Sequence, residues 1–360
     1  MLIVDAHEDI AYNVVTFGRD YTRSAQETRA AEADNAQTHA AMGECMLGLP
    51  EWLAGNVGVV FGTLFVMPAR RKMAGMENSA VAYTTPQEAY AQAMDQLDVY
   101  TRLADENPRF ALVREQKELD AVLATWKAGA PKDKRQIGLV ILMEGADPIV
   151  RPQDVETWYG RGLRIVGPSW LAGTRYAGGD ASGGPLTDDG NRLLHVMMDF
   201  NLILDVSHLS DQACLQALDR YEGAVIASHS NPRKLVPGNR QLSDDMIRAT
   251  LLRDGVVGIL PINSMLREGW KRGDRKDAVT VADVAAAMDY VCQMAGDAQH
   301  VSLGTDFDGG FGAESTPAEL DTIADLPKIA TALKTRGYGE ADVEAIMGGN
   351  WLRILRRALP

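Results

Sequence analysis

Eight short apolar runs rich in Val, Ile and Leu, each bounded by polar residues or glycine, recur along the chain at residues 2–4, 57–66, 137–142, 163–166, 202–206, 224–227, 256–260 and 301–303. Runs this short and this uniformly apolar suit strands buried on both faces, as in a parallel sheet. Between them, residues 85–103, 211–220, 243–252 and 280–295 carry apolar side chains at helical spacing with polar faces in between. Ser243 and Thr280 stand where a helix needs an acceptor for its first free N–H groups. The order is βαβα throughout, which predicts one (β/α)8 barrel spanning residues 1–360, with insertions after the first and second strands, where the connections are longest. A doubly wound open sheet is the rival arrangement, but no GxGxxG fingerprint follows the first strand.

The polar residues that follow these runs change the picture from fold to chemistry. The first strand leads into His7-Glu8-Asp9, the third into Glu144, the fifth into Asp205-Val-Ser-His208, the sixth into Ser228-His229-Ser230 and the eighth into Asp306-Phe-Asp308. In a barrel of this kind all strand C-termini face one rim, where catalytic residues from distant parts of the chain collect. Three of the six histidines stand at strand ends beside carboxylates, whereas His39, His195 and His300 do not. Alternate residues at a strand end point the same way, so His7 and Asp9 are able to reach one ion. Imidazole and carboxylate without any thiolate favour zinc, with manganese, cobalt or iron open to the same set. Two carboxylates and three histidines exceed what one catalytic zinc needs, so two ions are expected, with Glu144 as the bridge because it has an oxygen for each.

Composition narrows the partners. A net charge of −13 disfavours a protein that tracks nucleic-acid phosphates, since that affinity depends on clustered Lys and Arg. Cys45, Cys214 and Cys292 are widely spaced without a CxxC pair and are read as reduced, packed residues. Met1-Leu-Ile-Val-Asp5 reaches charge too soon for a signal sequence, and no run approaches a membrane span, so no membrane partner and a cytoplasmic location are expected.

Taken in order, Asp5-Ala-His7-Glu-Asp9, Glu144-Gly, Asp205-Val-Ser-His208, Ser228-His229-Ser230, Arg240 ahead of Ser243-Asp-Asp, Gly304-Thr-Asp306-Phe-Asp308-Gly and Gly349-Asn350 resemble the membrane (renal) dipeptidases, peptidase family M19 of the amidohydrolase superfamily. The resemblance covers nearly the whole chain. It implies that His7 and Asp9 bind one zinc, that His208 and His229 bind the other, and that Glu144 bridges them. It also implies that Asp306 handles the proton of the attacking water and that Arg240 grips a dipeptide carboxylate. The other readings are a ligand-orienting role for Asp306 and a solvated, helix-flanking charge for Arg240.

The chain departs from the family after the fourth strand, where Gly167-Pro168-Ser169-Trp170-Leu171 puts Trp170 at the place of a histidine that supports the substrate carbonyl. A tyrosine common among relatives near the end of the seventh strand is Ile262 here. Arg175 and Tyr176, in the loop that follows Trp170, are candidate donors to replace the lost contact, or else loop surface. The first expectation is hydrolysis of a dipeptide amide with two zinc ions. The second keeps the metal chemistry and changes the substrate to another small amide or a lactone, such as an N-acyl amino acid or a cyclic amide. A third is an inactive metal-bound binding protein. A homodimer is left open.

Overall fold

Residues 1–71 and 80–360 are described by a computed structural model of the chain, in which every apolar run forms a strand. These are β1 (Ile3–Glu8), β2 (Val57–Phe65), β3 (Ile137–Glu144), β4 (Leu163–Gly167), β5 (Ile203–Asp205), β6 (Val225–Ala227), β7 (Val256–Ile259) and β8 (Val301–Leu303). All pair in parallel with their sequence neighbours, and β8 pairs back onto β1 at Leu303 and Asp5, so the sheet closes into a barrel. A short strand, Phe110–Leu112, lies outside the ring along the start of β3, before β4 takes over that edge at Ile141.

Alternate side chains fill the interior: Val4 and Ala6, Val59 and Phe61, Val140 and Leu142, Ile165, Ile203, Ile226 and Val256. Each fully buried Val, Leu, Ile or Phe among them is worth about 1.5–3 kcal/mol. The helix Asn350–Ala358 adds Trp351, Ile354 and Leu355 to the same cluster. Its Ala358 carbonyl accepts from Asn201, and Arg353 donates to the Asp254 and Gln299 carbonyls, so the helix lies across the turns that precede β5, β7 and β8. That end of the barrel is therefore closed by packing. Chemistry is left to the other mouth.

Two strands run further than their apolar residues. β1 continues through His7 and Glu8, and β3 through Glu144, because the ladder is a backbone property that a polar side chain at the mouth does not interrupt. A register shift between Asp5 and Glu8 also changes the phase of β1. Val4 and Ala6 face the interior, but beyond the shift His7 and Asp9 take the inward side while Glu8 accepts from the Trp52 indole.

The helices begin where their caps stand. Thr85 forms a capping box with Glu88 before Pro86–Glu106, Ser243 caps Asp244–Leu252, and Thr280 forms a box with Asp283 before Val281–Ala295. The first insertion folds as four short helices, Ile10–Phe17, Ala25–Glu32, Ala36–Met42 and Leu49–Ala54. An antiparallel hairpin, Ala177–Gly179 with Gly183–Leu186, follows β4 and is absent from the sequence expectation. The three cysteines are buried and free.

Candidate active site

The polar residues at the strand ends converge because of where each strand stops. His7 lies within β1 and Asp9 directly after it, Glu144 ends β3, His229 lies two residues past β6, and His208 and Asp306 lie three residues past β5 and β8. The last two hold left-handed backbone, with φ of 63° and 56°, a conformation that non-glycine residues adopt uncommonly and that clusters at functional sites. Donor atoms from His7, Asp9 and Glu144, from Glu144, His208 and His229, and from His7, His229 and Asp306 form three overlapping groups, each within 4.8 Å.

Glu144 is the centre. Its Oε2 faces the His7 Nε2 at 3.7 Å, and its Oε1 faces the Nε2 atoms of His208 at 3.0 Å and His229 at 3.4 Å. Partners behind the rings assign the tautomers. His208 Nδ1 donates to Asp180 Oδ2 at 2.8 Å. His229 Nδ1 donates to Ser228 Oγ at 2.7 Å, and that hydroxyl in turn donates to Asp205. Both rings thus turn an Nε2 lone pair toward the cluster, and the two nitrogens stand only 3.1 Å apart. Asp9 is held from behind by the Thr63 hydroxyl.

This arrangement fits a cation. Lone pairs of two imidazoles and a carboxylate oxygen converge on one point, and the buried His7 Nε2 has no hydrogen-bond partner. Without a cation, protons must carry the compensation. Burial lifts the Asp306 carboxyl, and the charges of Asp9 and Glu144 add to that, to about 8 against the pull of His7 and Arg240. Burial and Glu144 likewise lift Asp9 to about 7, while burial opposes but Glu144, Asp306 and Asp9 together drive His7 to about 10. Glu144 itself is held well below the carboxylate range, because His7, His208 and His229 outweigh its burial.

Arg240 reaches the same mouth. Its guanidinium donates to Ser230 Oγ at 2.9 Å and to the His229 carbonyl at 2.8 Å, and its Nε lies 3.7 Å from Asp180. It is mostly buried, not a solvated charge flanking a helix. The neighbours Asp306 and Asp308 differ sharply. Asp306 lies 3.7 Å from His7, and any Cβ at position 309 would sit 2.0 Å from its Oδ1, which is why Gly309 follows. Asp308 is fully engaged: Tyr21 and the Met46 amide donate to it at 2.8 and 2.9 Å, and Arg19 pairs with it at 3.0 Å. It fastens the first insertion to the loop that carries Asp306.

The family model for membrane dipeptidase, peptidase family M19, matches residues 1–359. The chain belongs to peptidase family M19. It is similar to an uncharacterized protein in the pqqA 5′ region of Klebsiella pneumoniae, 29% identical over 234 residues that cover 62% of this chain and 83% of that one. Dipeptidase aclJ of Aspergillus oryzae is 25% identical over 98% of this chain and 77% of its own length. In fold the chain is similar to a Rhodobacter sphaeroides metallo peptidase liganded with a phosphinate mimic of the dipeptide L-Ala-D-Ala, with a TM-score of 0.79, 22% identity and 99% of each chain covered. This M19 chain is a metal-dependent hydrolase, and its His, Asp and Glu cluster is a candidate metal site. No helix among the described residues is long and apolar enough to cross a membrane.

The rim beyond β4 of this M19 barrel is assembled differently. Trp170 is buried, packs edge-on against Phe65 with ring centroids 5.0 Å apart, and stands 6.2 Å from the His208 ring. Arg175 and Tyr176 are not joined to the ligand cluster by any hydrogen bond among the described residues. The Tyr176 hydroxyl donates to the Ile149 carbonyl, and Arg175 donates to that same carbonyl at 3.0 Å and to the Tyr176 oxygen at 2.7 Å. Ile262 is buried just ahead of the turn of helix Asn263–Leu266. Three supporting groups escaped the sequence reading of the site: Asp180 behind His208, Thr63 behind Asp9, and the Asp205–Ser228 relay behind His229. Only Asp205 and Ser228 carried a signal, as polar residues at strand ends.

Proposed function

We propose that this M19 chain hydrolyses the amide bond of dipeptides with the help of two zinc ions. The observation that carries the reading is that two of the three overlapping donor groups share Glu144, whose two oxygens face different histidines. His7 and Asp9 would hold one ion, His208 and His229 the other, and Glu144 both. Zinc bound there supplies Lewis acidity toward a carbonyl and lowers the pKa of water to about 7.

The chain's own residues account for the remaining steps. Arg240 spends two of its five N–H donors on Ser230 and His229, which fixes the guanidinium and leaves donors for the carboxylate at the C-terminal end of a dipeptide. Asp306 has the position to accept a proton as water attacks the amide carbonyl carbon, and to return it to the nitrogen as the C–N bond breaks. Trp170 and Phe65 pack edge-on and form an apolar flank of the mouth.

A second reading, the same metal chemistry on another small amide or a lactone, is favoured by one observation. An indole packed on Phe65 lines the rim beyond β4, so that stretch of the rim offers mainly apolar contact. Elemental analysis after zinc reconstitution, followed by a screen of dipeptides that includes D-residues at the C-terminal side, tests both. Two equivalents of zinc and dipeptide turnover are expected. A stoichiometry near zero overturns the metal reading, and full occupancy with turnover only of other amides or lactones moves the assignment to the second substrate class.

A further inference from the structure

We infer that Asp180 is a positioning residue that sets the ion affinity of the His208 position alone, an inference that rests on the two-ion reading above. Asp180 sits in the turn of the hairpin beyond β4, a segment whose glycines read as mere loop, yet it is 4% exposed. Backbone contacts fix it: its N–H donates to the His208 carbonyl at 2.9 Å, Ser210 N–H donates to the Gly178 carbonyl at 3.0 Å, and Gly179 bridges Leu209. Its Oδ2 accepts from His208 Nδ1, which leaves the His208 Nε2 lone pair aimed at Glu144 and His229. Its Oδ1 is buried without a hydrogen-bond partner, and Arg240 lies 3.7 Å from Oδ2.

A buried carboxylate with one free oxygen is expensive to keep unless it serves its neighbours. Here it does so through His208. A carboxylate behind a ligating imidazole fixes the tautomer and ring orientation and raises the basicity of the nitrogen that faces the metal. The three ligand histidines are supported unequally: His229 has a serine hydroxyl behind it at 2.7 Å, and among the described residues His7 has only the same hydroxyl at 3.4 Å. Among the described residues, a direct carboxylate stands behind His208 alone. The hairpin beyond β4 therefore acts on metal affinity as well as shaping the rim.

The test is titration of the metal-free full chain with Zn²⁺ in competition with a chromophoric chelator, for wild type, Asp180→Ala and Asp180→Asn. Asp180→Ala is expected to weaken one of the two ions by roughly 10–100-fold, the usual cost of losing such a partner, and to leave the other nearly unchanged. Asp180→Asn keeps an oxygen for the Nδ1 proton and loses the charge, so it should weaken the same ion by a smaller factor. Unchanged affinities in both variants overturn the inference, as does equal weakening of both ions. If Asp180→Ala does not fold, Asp180→Asn decides alone: one weakened ion supports the inference and none overturns it. A wild-type chain that binds no zinc overturns the two-ion reading instead, which is a separate and recognisable result.

Discussion

At the ends of β1, β5 and β6 the candidate ligand side chains are fastened from behind, Asp9 by Thr63, His208 by Asp180 and His229 by Ser228 and Asp205, so that charge and lone pairs meet at one point with Glu144 of β3. Beyond β4 the wall of the same mouth is held by packing, with Trp170 against Phe65, while Arg175 and Tyr176 direct donors to Ile149. The two regions tolerate different changes. A ligand is defined by an atom and its direction, so replacing it removes the function, whereas a packed position accepts a new chemistry if the volume stays filled. The wall beyond β4 is therefore able to carry a tryptophan without disturbing the candidate metal cluster.

The largest effect should come from the charged region. Glu144→Gln replaces a carboxylate oxygen with an amide nitrogen that cannot accept a metal, and both Oε1 and Oε2 face histidines. Loss of both ions and of activity is expected, read by elemental analysis beside a dipeptide assay. Weakening of a single ion would make Glu144 a terminal ligand. Next comes Asp306→Asn, which should keep both ions and lower kcat by roughly 10²–10⁴, the range of a lost general acid or base. Unchanged turnover with full metal content would remove Asp306 from the mechanism.

Arg240 lies on the border between the regions, since it touches Ser230 and the His229 carbonyl without being a ligand. Charge-assisted contacts are worth about 1.5–3 kcal/mol, so Arg240→Ala should raise KM for free-acid dipeptides by roughly 10 to 150-fold. Neutral C-terminal amides should be nearly unaffected. An equal rise for both substrate types, with metal loss, would mean that Arg240 only supports the His229 loop.

The same contrast explains what was legible in the sequence. Buried parallel strands read as continuous apolar runs, and Glu144, His208 and His229 stand out as polar residues at or just beyond the ends of such runs. His7 was harder, because extending the inward phase of Val4 and Ala6 points to Glu8, and only the register shift in β1 turns His7 and Asp9 inward. Their place at the end of the first apolar run and the alternate His-x-Asp spacing mark them as candidates, although alternation counted from Val4 does not. Asp180 was invisible, since its role depends on a hairpin of glycines with no apolar alternation and on a contact across 28 positions. Asp308 carries the same side chain as Asp306, and its different fate is decided by Arg19, Tyr21 and Met46 from the first insertion, which local sequence does not reveal.

The smallest effect is expected in the packed region, from Trp170→His. The family resemblance implies an imidazole at this position, and a donor to a developing oxyanion is worth about 2.7–4 kcal/mol when it lies 2.7–3.1 Å from that oxygen. Such precision depends on the loop. Here the turn is tied by the Gly173 amide to the Trp170 carbonyl at 2.6 Å, and by the Thr174 hydroxyl to the Pro168 carbonyl at 2.6 Å, a path set with an indole in place. Imidazole is also smaller than indole, so it gives up part of the edge-on contact with Phe65 and leaves a gap that costs stability. Histidine at 170 should therefore raise kcat/KM for dipeptides by less than about tenfold, well below a fully aligned donor, and lower Tm slightly. The measurement compares kcat/KM for both forms across one dipeptide set, with zinc content checked in each. A gain of the full donor size would show that the wall is already shaped for an oxyanion. Flat dipeptide rates with loss of turnover on another amide or lactone would assign Trp170 to that substrate, and the packed wall would then be the specificity element of the enzyme.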